Sequence, residues 1–157
     1  MNYDFNRKWL VKKFEEIQRR TLNAIEQLSD EQLNWKPDEH SHNIPTLLRH
    51  IEGNVRQRIR NGILNEAVTR NRDEEFSSEH MTKTEAQLLV QSNLQIVIDV
   101  IKNIKDEGLR DLQTVRGRER TNLDMLHQCA AHYSEHMGQI LYIAKLILKE
   151  KYKSTSV

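Results

Sequence analysis

The chain has 157 residues, which suits one domain with a short tail, and its 24 Lys and Arg against 23 Asp and Glu leave a net charge of +1. A nearly neutral surface gives no general attraction for nucleic acid or anionic lipid, so we expect neither as a partner. No apolar run is long enough to cross a membrane, and a single cysteine, Cys129, is consistent with a reducing, cytoplasmic location.

The composition favours helices over strands. Only 5 Gly and 2 Pro punctuate the chain, whereas many-stranded folds need frequent turn residues. Most other residues are good helix formers, and four segments show apolar positions at helical spacing. We therefore predict an all-α bundle with long connections.

The first two helices are visible as apolar stripes. The first stripe runs from Leu10 to Leu28, and Ser29 is a capping residue that predicts a short extra turn after it, through Gln32. A second helix is predicted from about Asn43, with a proline in its first turn, and it fades after residues 62–64. The polar residues 69–80 predict an exposed crossover loop.

The second half of the chain predicts two more helices. The third begins at the capping box formed by Thr82 and Glu85 and ends near Gly108, and residues 109–120 form an irregular connection. Thr121 or Asn122 then caps a fourth helix that reaches about residue 149. Residues 1–150 are expected to form one domain and residues 151–157 a frayed tail. Because two connections are long, helix order and direction stay open on this argument.

The fourth helix carries two histidines on its core-facing stripe. At about 100° per residue one face collects seven residues: Met125, Cys129, His132, His136, Ile140, Ile143 and Ile147. Histidines four residues apart lie one above the other, so His132 and His136 can supply half of a metal site. His50, on the flank of the second helix's stripe, is the candidate third ligand. The alternative is that these histidines are hydrogen-bonded core residues.

Other residues near the two histidines could have either a functional or a structural role. Cys129 could be a ligand or nucleophile, although a small buried thiol is the commoner role. Tyr133 and Gln139 flank the pair and could orient ligands or substrate, or simply pack. Residues 116–120 carry three arginines that could meet an anion, but Glu119 interrupts them and favours a solvated loop.

Two known metal patterns fit poorly. No Glu stands three residues before any histidine, as carboxylate di-iron bundles require. The run from His132 to His136 matches the string of inverted zinc proteases, but no later helix remains to supply their glutamate ligand. The other histidines lie in predicted loops or face away from the stripe, and we expect them at the surface: His40, His42, His80 and His127.

Three segments together resemble a known superfamily. LSDEQLNWKP, IPTLLRHI and AAHYSEHMGQILYIAK are similar to the DinB-like proteins, and within them to the small Bacillus-type DUF1572 group. The resemblance extends from Phe5 to Leu148. It implies a four-helix bundle of up-down-down-up topology, often a homodimer, that binds a divalent metal, commonly nickel or zinc. Carried onto this chain, the implied ligands are His50, His132 and His136.

The resemblance also suggests an activity. Characterised relatives include transferases and isomerases that use thiols such as bacillithiol or mycothiol. Three neutral imidazoles would leave a divalent ion with open positions, where a thiol could bind with a lowered pKa and attack an electrophile. We therefore expect a metal-dependent, thiol-using S-transferase-like enzyme. The alternative is a non-enzymatic metal-binding or stress-related bundle.

Overall fold

The computed structural model describes residues 1–77 and 79–156 and confirms the all-α prediction. Four long helices build the molecule, and they are α1 (Asp4–Glu26), α3 (Ile44–Val55), α5 (Lys83–Asn103) and α7 (Asn122–Leu148). Three short helices join them: α2 (Asp30–Leu33), α4 (Arg72–Glu75) and α6 (Asp106–Arg110). A π-helical segment, Arg56–Asn61, continues α3, and a 3₁₀ turn, Lys149–Lys151, follows α7.

Local capping explains where the helices begin. Asn43 accepts a hydrogen bond from the backbone of Thr46 at the start of α3, and Thr121 does the same at the start of α7. Ser29 and Thr82 each form a reciprocal capping box, before α2 and α5 respectively. These four predicted starts are confirmed.

Contacts between helices fix their directions. Helices α1 and α5 are antiparallel, because Arg7 contacts Ile101 and Glu26 contacts Lys83. Helices α1 and α7 are parallel, because Asn6 contacts His127 and Phe14 contacts Tyr133. Helices α3 and α7 are antiparallel, because His50 contacts His136 and Asn54 contacts Cys129. The helices α1 and α7 therefore run one way and α3 and α5 the other, which is the up-down-down-up order.

The core lies between the four long helices and is built from their apolar stripes. Phe14 of α1, Leu48 of α3, Ile98 of α5 and Tyr133 of α7 are each essentially inaccessible to solvent. Phe14 and Tyr133 meet edge to face with ring centroids 6.0 Å apart. Burial of these stripes holds the helices together and sets the position of every side chain on α3 and α7.

The crossover segment, residues 62–77, differs from the predicted exposed loop. Asn71 caps the short helix α4, and Glu75 at its end is buried, with 4% of its surface exposed. A carboxylate can be buried here because Arg70 binds it through two hydrogen bonds. The polar composition of this segment therefore conceals a buried ion pair.

The connection after α5 is also more regular than predicted. The helix ends at Asn103 rather than near Gly108, and α6 and a hairpin of β1 (Leu112–Val115) and β2 (Arg118–Thr121) follow. Both residues of the hairpin turn have positive φ, 49° at Arg116 and 74° at Gly117, as a type I′ turn requires. A single glycine was too weak a signal to predict this hairpin.

In the part that the structure describes, the C-terminal tail lies against α1 and is joined to it by hydrogen bonds. Lys153 and Gln27 exchange two hydrogen bonds, and Arg19 and Arg20 of α1 both donate to Thr155. Thr155 is 2% exposed. These contacts to α1 replace the solvent that a polar tail would otherwise prefer.

Among residues 1–77 and 79–156, no helix combines the length and the apolar character needed to cross a bilayer.

Candidate metal centre

The bundle brings three imidazoles from two antiparallel helices to one point. His50 projects from α3, and His132 and His136 project from adjacent turns of α7. The Nε2 atom of His132 lies 3.3 Å from that of His50 and 2.8 Å from that of His136. In the described part of the chain, this is the one group of three or more His, Cys, Asp or Glu residues with donor atoms close enough to share an ion.

Hydrogen bonds set which nitrogen of each outer ring faces the centre. Nδ1 of His50 lies 3.0 Å from a carboxylate oxygen of Glu75, and Nδ1 of His136 lies 2.7 Å from the side-chain oxygen of Gln139. Because both partners are acceptors, each Nδ1 carries the proton and each Nε2 keeps its lone pair. Arg70 also lies 3.4 Å from Nδ1 of His50, but it can only donate, and the shorter contact to Glu75 decides the tautomer.

The arrangement fits a divalent cation. Tetrahedral coordination by nitrogens at about 2.0–2.1 Å places two ligand nitrogens about 3.4 Å apart. The separation of the Nε2 atoms of His50 and His132 matches this value, and that of His132 and His136 needs a widening of about 0.6 Å. A cation placed between the three Nε2 atoms would accept the lone pairs of all three rings. Three histidines also leave further coordination positions for water or substrate.

The imidazoles of His132 and His50 are kept neutral, which is the form that binds a metal. Burial is the largest cause, and together with the neighbouring imidazoles of His136 and His50 and the charges of Arg70 and Arg58 it lowers the pKa of His132 to about 4. Burial also lowers the pKa of His50, although the hydrogen bond to Glu75 opposes that change. At neutral pH a cation therefore does not have to displace a proton from either ring.

The crossover segment fixes the orientation of His50. Arg70 donates to Glu75 through Nε at 2.6 Å and through Nη2 at 3.0 Å, and Glu75 in turn accepts from His50. Burial raises the pKa of Glu75, but the hydrogen bonds from Arg70 and His50 outweigh it, and the net pKa is lowered. The carboxylate is therefore ionised and holds the ring through a charged hydrogen bond.

Gly53 makes room for this carboxylate. It lies one turn after His50 on α3, and a Cβ atom there would collide with the carboxylate of Glu75 and approach Nε of Arg70 to 3.0 Å. The missing side chain allows the crossover segment to pack directly on the helix.

A second buried polar group lies one turn along α3. Asn54 accepts a hydrogen bond of 2.7 Å from the hydroxyl of Tyr133 and one of 3.6 Å from the thiol of Cys129. Burial raises the pKa of Cys129 to about 11, so the thiol stays protonated at neutral pH. Its role is packing and hydrogen bonding next to the centre.

Two cavities reach the histidine centre from different sides. A cleft of ≈ 590 Å³ extends from His132 to the hairpin, and four arginines line it: Arg58, Arg116, Arg118 and Arg120. We call this the arginine cleft. A smaller pocket of ≈ 90 Å³ is lined by residues that include Leu47, His50, Phe76 and His136. A molecule in either cavity could reach the same imidazoles.

The remaining histidines take no part in the centre. His40, His42 and His80 are exposed, as expected. His127 is half-buried rather than at the open surface, because it contacts Asn6 through a hydrogen bond of 2.9 Å and packs against Trp9. Glu135, the glutamate of the protease-like string, is exposed.

Sequence reasoning missed three residues that support the centre: Arg70, Glu75 and Asn54. The first two lie in a polar stretch where nothing distinguishes buried charges from solvated ones. Asn54 gave a usable signal, since it follows His50 by four residues and therefore shares its face of α3.

The fold and the centre together define a class: a DinB-like four-helix bundle with three histidines that could hold a metal. The chain belongs to the DUF1572 family, described as a protein of unknown function, whose model matches residues 4–157. No curated protein matches it.

Two solved structures are similar in fold. A DinB-like protein from Bacillus subtilis, YjoA, has a TM-score of 0.66 at 19% identity, covering 88% of this chain and 91% of its own. A conserved protein from Enterococcus faecalis has a TM-score of 0.67 at 13% identity, covering 90% and 96% respectively. At these identities the likeness extends to the fold alone.

Proposed function

We propose that this protein is a metal-dependent enzyme that joins a low-molecular-weight thiol, of the bacillithiol type, to an electrophile. The observation that carries the proposal is the convergence of three imidazole Nε2 atoms on one point beside two cavities. A divalent ion, nickel or zinc, would be held by His50, His132 and His136 and would supply a Lewis acid that lowers the pKa of a bound thiol.

The chain's own residues prepare this chemistry. Glu75 and Gln139 hold the Nδ1 protons of His50 and His136 and so direct their lone pairs to the centre. Burial keeps His132 deprotonated at neutral pH. The side chains of Tyr133 and Cys129 are both bound to Asn54, which fixes the wall of the arginine cleft next to His132.

The nucleophile has to come from a small molecule. The single cysteine is buried and its pKa is raised to about 11, so it is a poor source of thiolate at neutral pH. In the proposed reaction the thiol loses its proton to solvent, and its sulfur forms a bond to the electrophilic carbon. With a halide, the carbon–halogen bond breaks and the halide departs with the electron pair; with an epoxide, one C–O bond of the ring breaks and the oxygen keeps the electron pair and takes a proton from solvent.

Two cavities at one centre suit a reaction between two molecules. The arginine cleft is large enough for a small conjugate, whereas the pocket beside Phe76 accommodates only a compact group. A reactive halide or an epoxide of a few carbon atoms is an appropriate electrophile for testing.

Elemental analysis tests the metal step. Protein purified without a His tag should contain close to one equivalent of metal per chain, and His132→Ala should contain almost none. His127→Ala is the matched control on the same helix and should retain the metal. Equal, negligible metal in the wild type and in His132→Ala would reject the proposal.

Turnover separates the enzyme from the alternative. Metal-loaded protein should convert a thiol and a halide or epoxide faster than the His132→Ala variant, and the thiol should raise the melting temperature. If metal is bound but thiol neither protects the protein nor reacts, a non-enzymatic metal-binding or stress-related bundle becomes the better description.

Partnership with a second copy is a separate part of the proposal. The family resemblance suggests a homodimer in the cytoplasm, and sedimentation equilibrium would establish the stoichiometry. A single species at the monomer mass of 18.6 kDa would contradict the dimer without affecting the metal centre.

A further inference from the structure

We propose that the arginine cleft binds the anionic part of the substrate, a carboxylate or phosphate group, while the reactive end of the same molecule reaches the histidine centre. The inference rests on the proposed function and adds the chemical class of the ligand. It is carried by the positions of Arg58, Arg116, Arg118 and Arg120 around one cleft that also contacts His132.

The hairpin explains why these arginines act together although Glu119 separates two of them. Successive residues of a strand point to opposite faces, so Arg118 and Arg120 share one face and Glu119 points to the other. The register places Val115 opposite Arg118, on that same face. Arg118, Arg120 and Val115 all line the cleft, as this alternation requires.

The positive charges in the cleft are poorly compensated. Arg120 pairs with Asp124 at 2.9 Å. For Arg58, Arg116 and Arg118, no carboxylate in residues 1–77 and 79–156 lies within the 4.0 Å of a salt bridge. Burial lowers the pKa of Arg58 below its usual range, and the charges of Arg70 and Arg116 act in the same direction. An anion in the cleft would relieve this repulsion.

The cleft is also held in shape before any ligand binds. Gln113 of β1 is buried and donates to the backbone oxygen of Arg58 at 3.3 Å and to Asn122 at 2.9 Å. Asn122 in turn donates to the backbone oxygen of Gly108 at 2.8 Å. These bonds tie the hairpin to the π-helical segment that carries Arg58 and to the start of α7, so the backbone that carries the arginines is held in place before a ligand binds.

The arrangement predicts how a ligand lies. Planar guanidinium groups bind carboxylate and phosphate oxygens through paired N–H donors. With the anion held among the arginines, the other end of the molecule extends toward His132 and Cys129 at the far wall. A thiol or an electrophile carrying such an anionic group would therefore arrive in one orientation.

An NMR titration of metal-free, EDTA-treated protein at 150 mM NaCl tests the inference with three probes: inorganic phosphate, succinate and the neutral succinamide. Phosphate or succinate should shift the arginine Nε–H signals, and succinamide should not. Arg118→Gln and Arg58→Gln should each weaken anion affinity about tenfold. Because Arg118 is exposed, its variant tests the inference even if Arg58→Gln folds poorly.

Two control variants separate the cleft from general charge effects. Arg110→Gln removes an arginine outside the cleft, and Glu119→Gln changes the opposite face of the hairpin, and each should alter affinity less than twofold. The order of phosphate and succinate affinities then assigns the anionic group. Absence of binding to the wild type, or equal weakening in Arg110→Gln and Arg118→Gln, would overturn the inference.

A last variant distinguishes this inference from the proposed function. In metal-free protein, His132→Ala should keep its affinity for succinate, because the anion binds at the arginines and not at the imidazoles. If His132→Ala loses anion binding while the arginine variants keep it, the proposal that the arginine cleft binds the anion is wrong. Metal content is measured separately, so an intact metal site with no anion binding rejects only the cleft.

Discussion

Two charged regions flank the histidine centre, and they differ in whether their arginine charges are compensated by carboxylates. In the crossover segment, Arg70 is buried and its charge is matched by Glu75, which also binds His50. In the arginine cleft, Arg116 and Arg118 are exposed and have no carboxylate partner among the described residues. The charges of the crossover segment compensate each other and orient the imidazole of His50, whereas the charges of the arginine cleft would be compensated by a bound anion. Loss of a charge should therefore damage the two regions very differently.

The largest effect is expected from Glu75→Ala in the crossover segment. It would leave the buried guanidinium of Arg70, 8% exposed, without its partner, and we expect a loss of about 3–5 kcal/mol in the free energy of unfolding. Metal affinity should fall about 10–100-fold because His50 loses its orienting acceptor. Urea unfolding and chelator competition measure the two effects.

Glu74→Ala is the matched control, since Glu74 is the preceding residue of the same short helix and is exposed. It should change neither the free energy of unfolding nor the metal affinity appreciably. Similar losses in both variants would show that Glu75 contributes only general surface charge.

A second prediction concerns pH. In the unfolded chain His132 binds a proton near its ordinary pKa of 6.5, but in the folded protein only near pH 4. The unfolded state therefore binds more protons between these values, and the stability of metal-free protein should fall as pH is lowered from 6.5 to 4. Glu75, whose folded pKa is lowered, should add a further loss below about 4.5. Because the ring is only half-buried, the effect should be smaller than that of Glu75→Ala.

Urea unfolding of EDTA-treated protein across this pH range measures how steeply the free energy of unfolding changes with pH. His132→Asn should flatten the decrease between pH 6.5 and 4. An unchanged slope in this variant would contradict the assignment to His132.

A smaller effect is expected from Gly53→Ala. Alanine is the better helix former by about 1 kcal/mol, but here its Cβ would collide with Glu75 and displace the carboxylate from His50. We expect weaker metal binding and no gain in stability. Gly138→Ala is the control, because a Cβ there meets no atom within 4 Å, and it should stabilise the protein by about 0.5–1 kcal/mol. Equal stabilisation by both substitutions would place Glu75 away from α3.

The smallest effect is expected in the hairpin. Arg118→Gln removes an exposed charge that has no carboxylate partner within residues 1–77 and 79–156, so the free energy of unfolding should change by less than about 0.5 kcal/mol. Urea unfolding measures it alongside Glu75→Ala. A loss comparable to that of Glu75→Ala would mean that the arginines of the cleft stabilise the fold, and the contrast between the two regions would disappear.

The bundle and part of its centre were predictable because their signals are local. Helical periodicity and the caps at Ser29, Asn43, Thr82 and Thr121 depend on residues within a few positions of each other. The spacing of His132 and His136 is a property of one helix. His50 was reached because it is the one histidine in the second predicted helix, and the packing of α3 against α7 brings it to the pair.

The supporting residues could not be predicted because their environment comes from distant parts of the chain. Glu75 looks like its exposed neighbours in sequence, and only the contact with Arg70 and His50 buries it. The arginines near residue 118 looked like a solvated loop because strand alternation was not foreseen there.

The sequence by itself determined that this chain forms a helical bundle, where its long helices begin, and that two imidazoles lie together on the last of them. Tertiary structure alone decided that the third imidazole faces them, that a buried ion pair orients it, and that four guanidinium groups surround one cleft. The physical reason is range: periodicity and capping act within a turn or two of helix, whereas burial and charge compensation depend on which segments pack together.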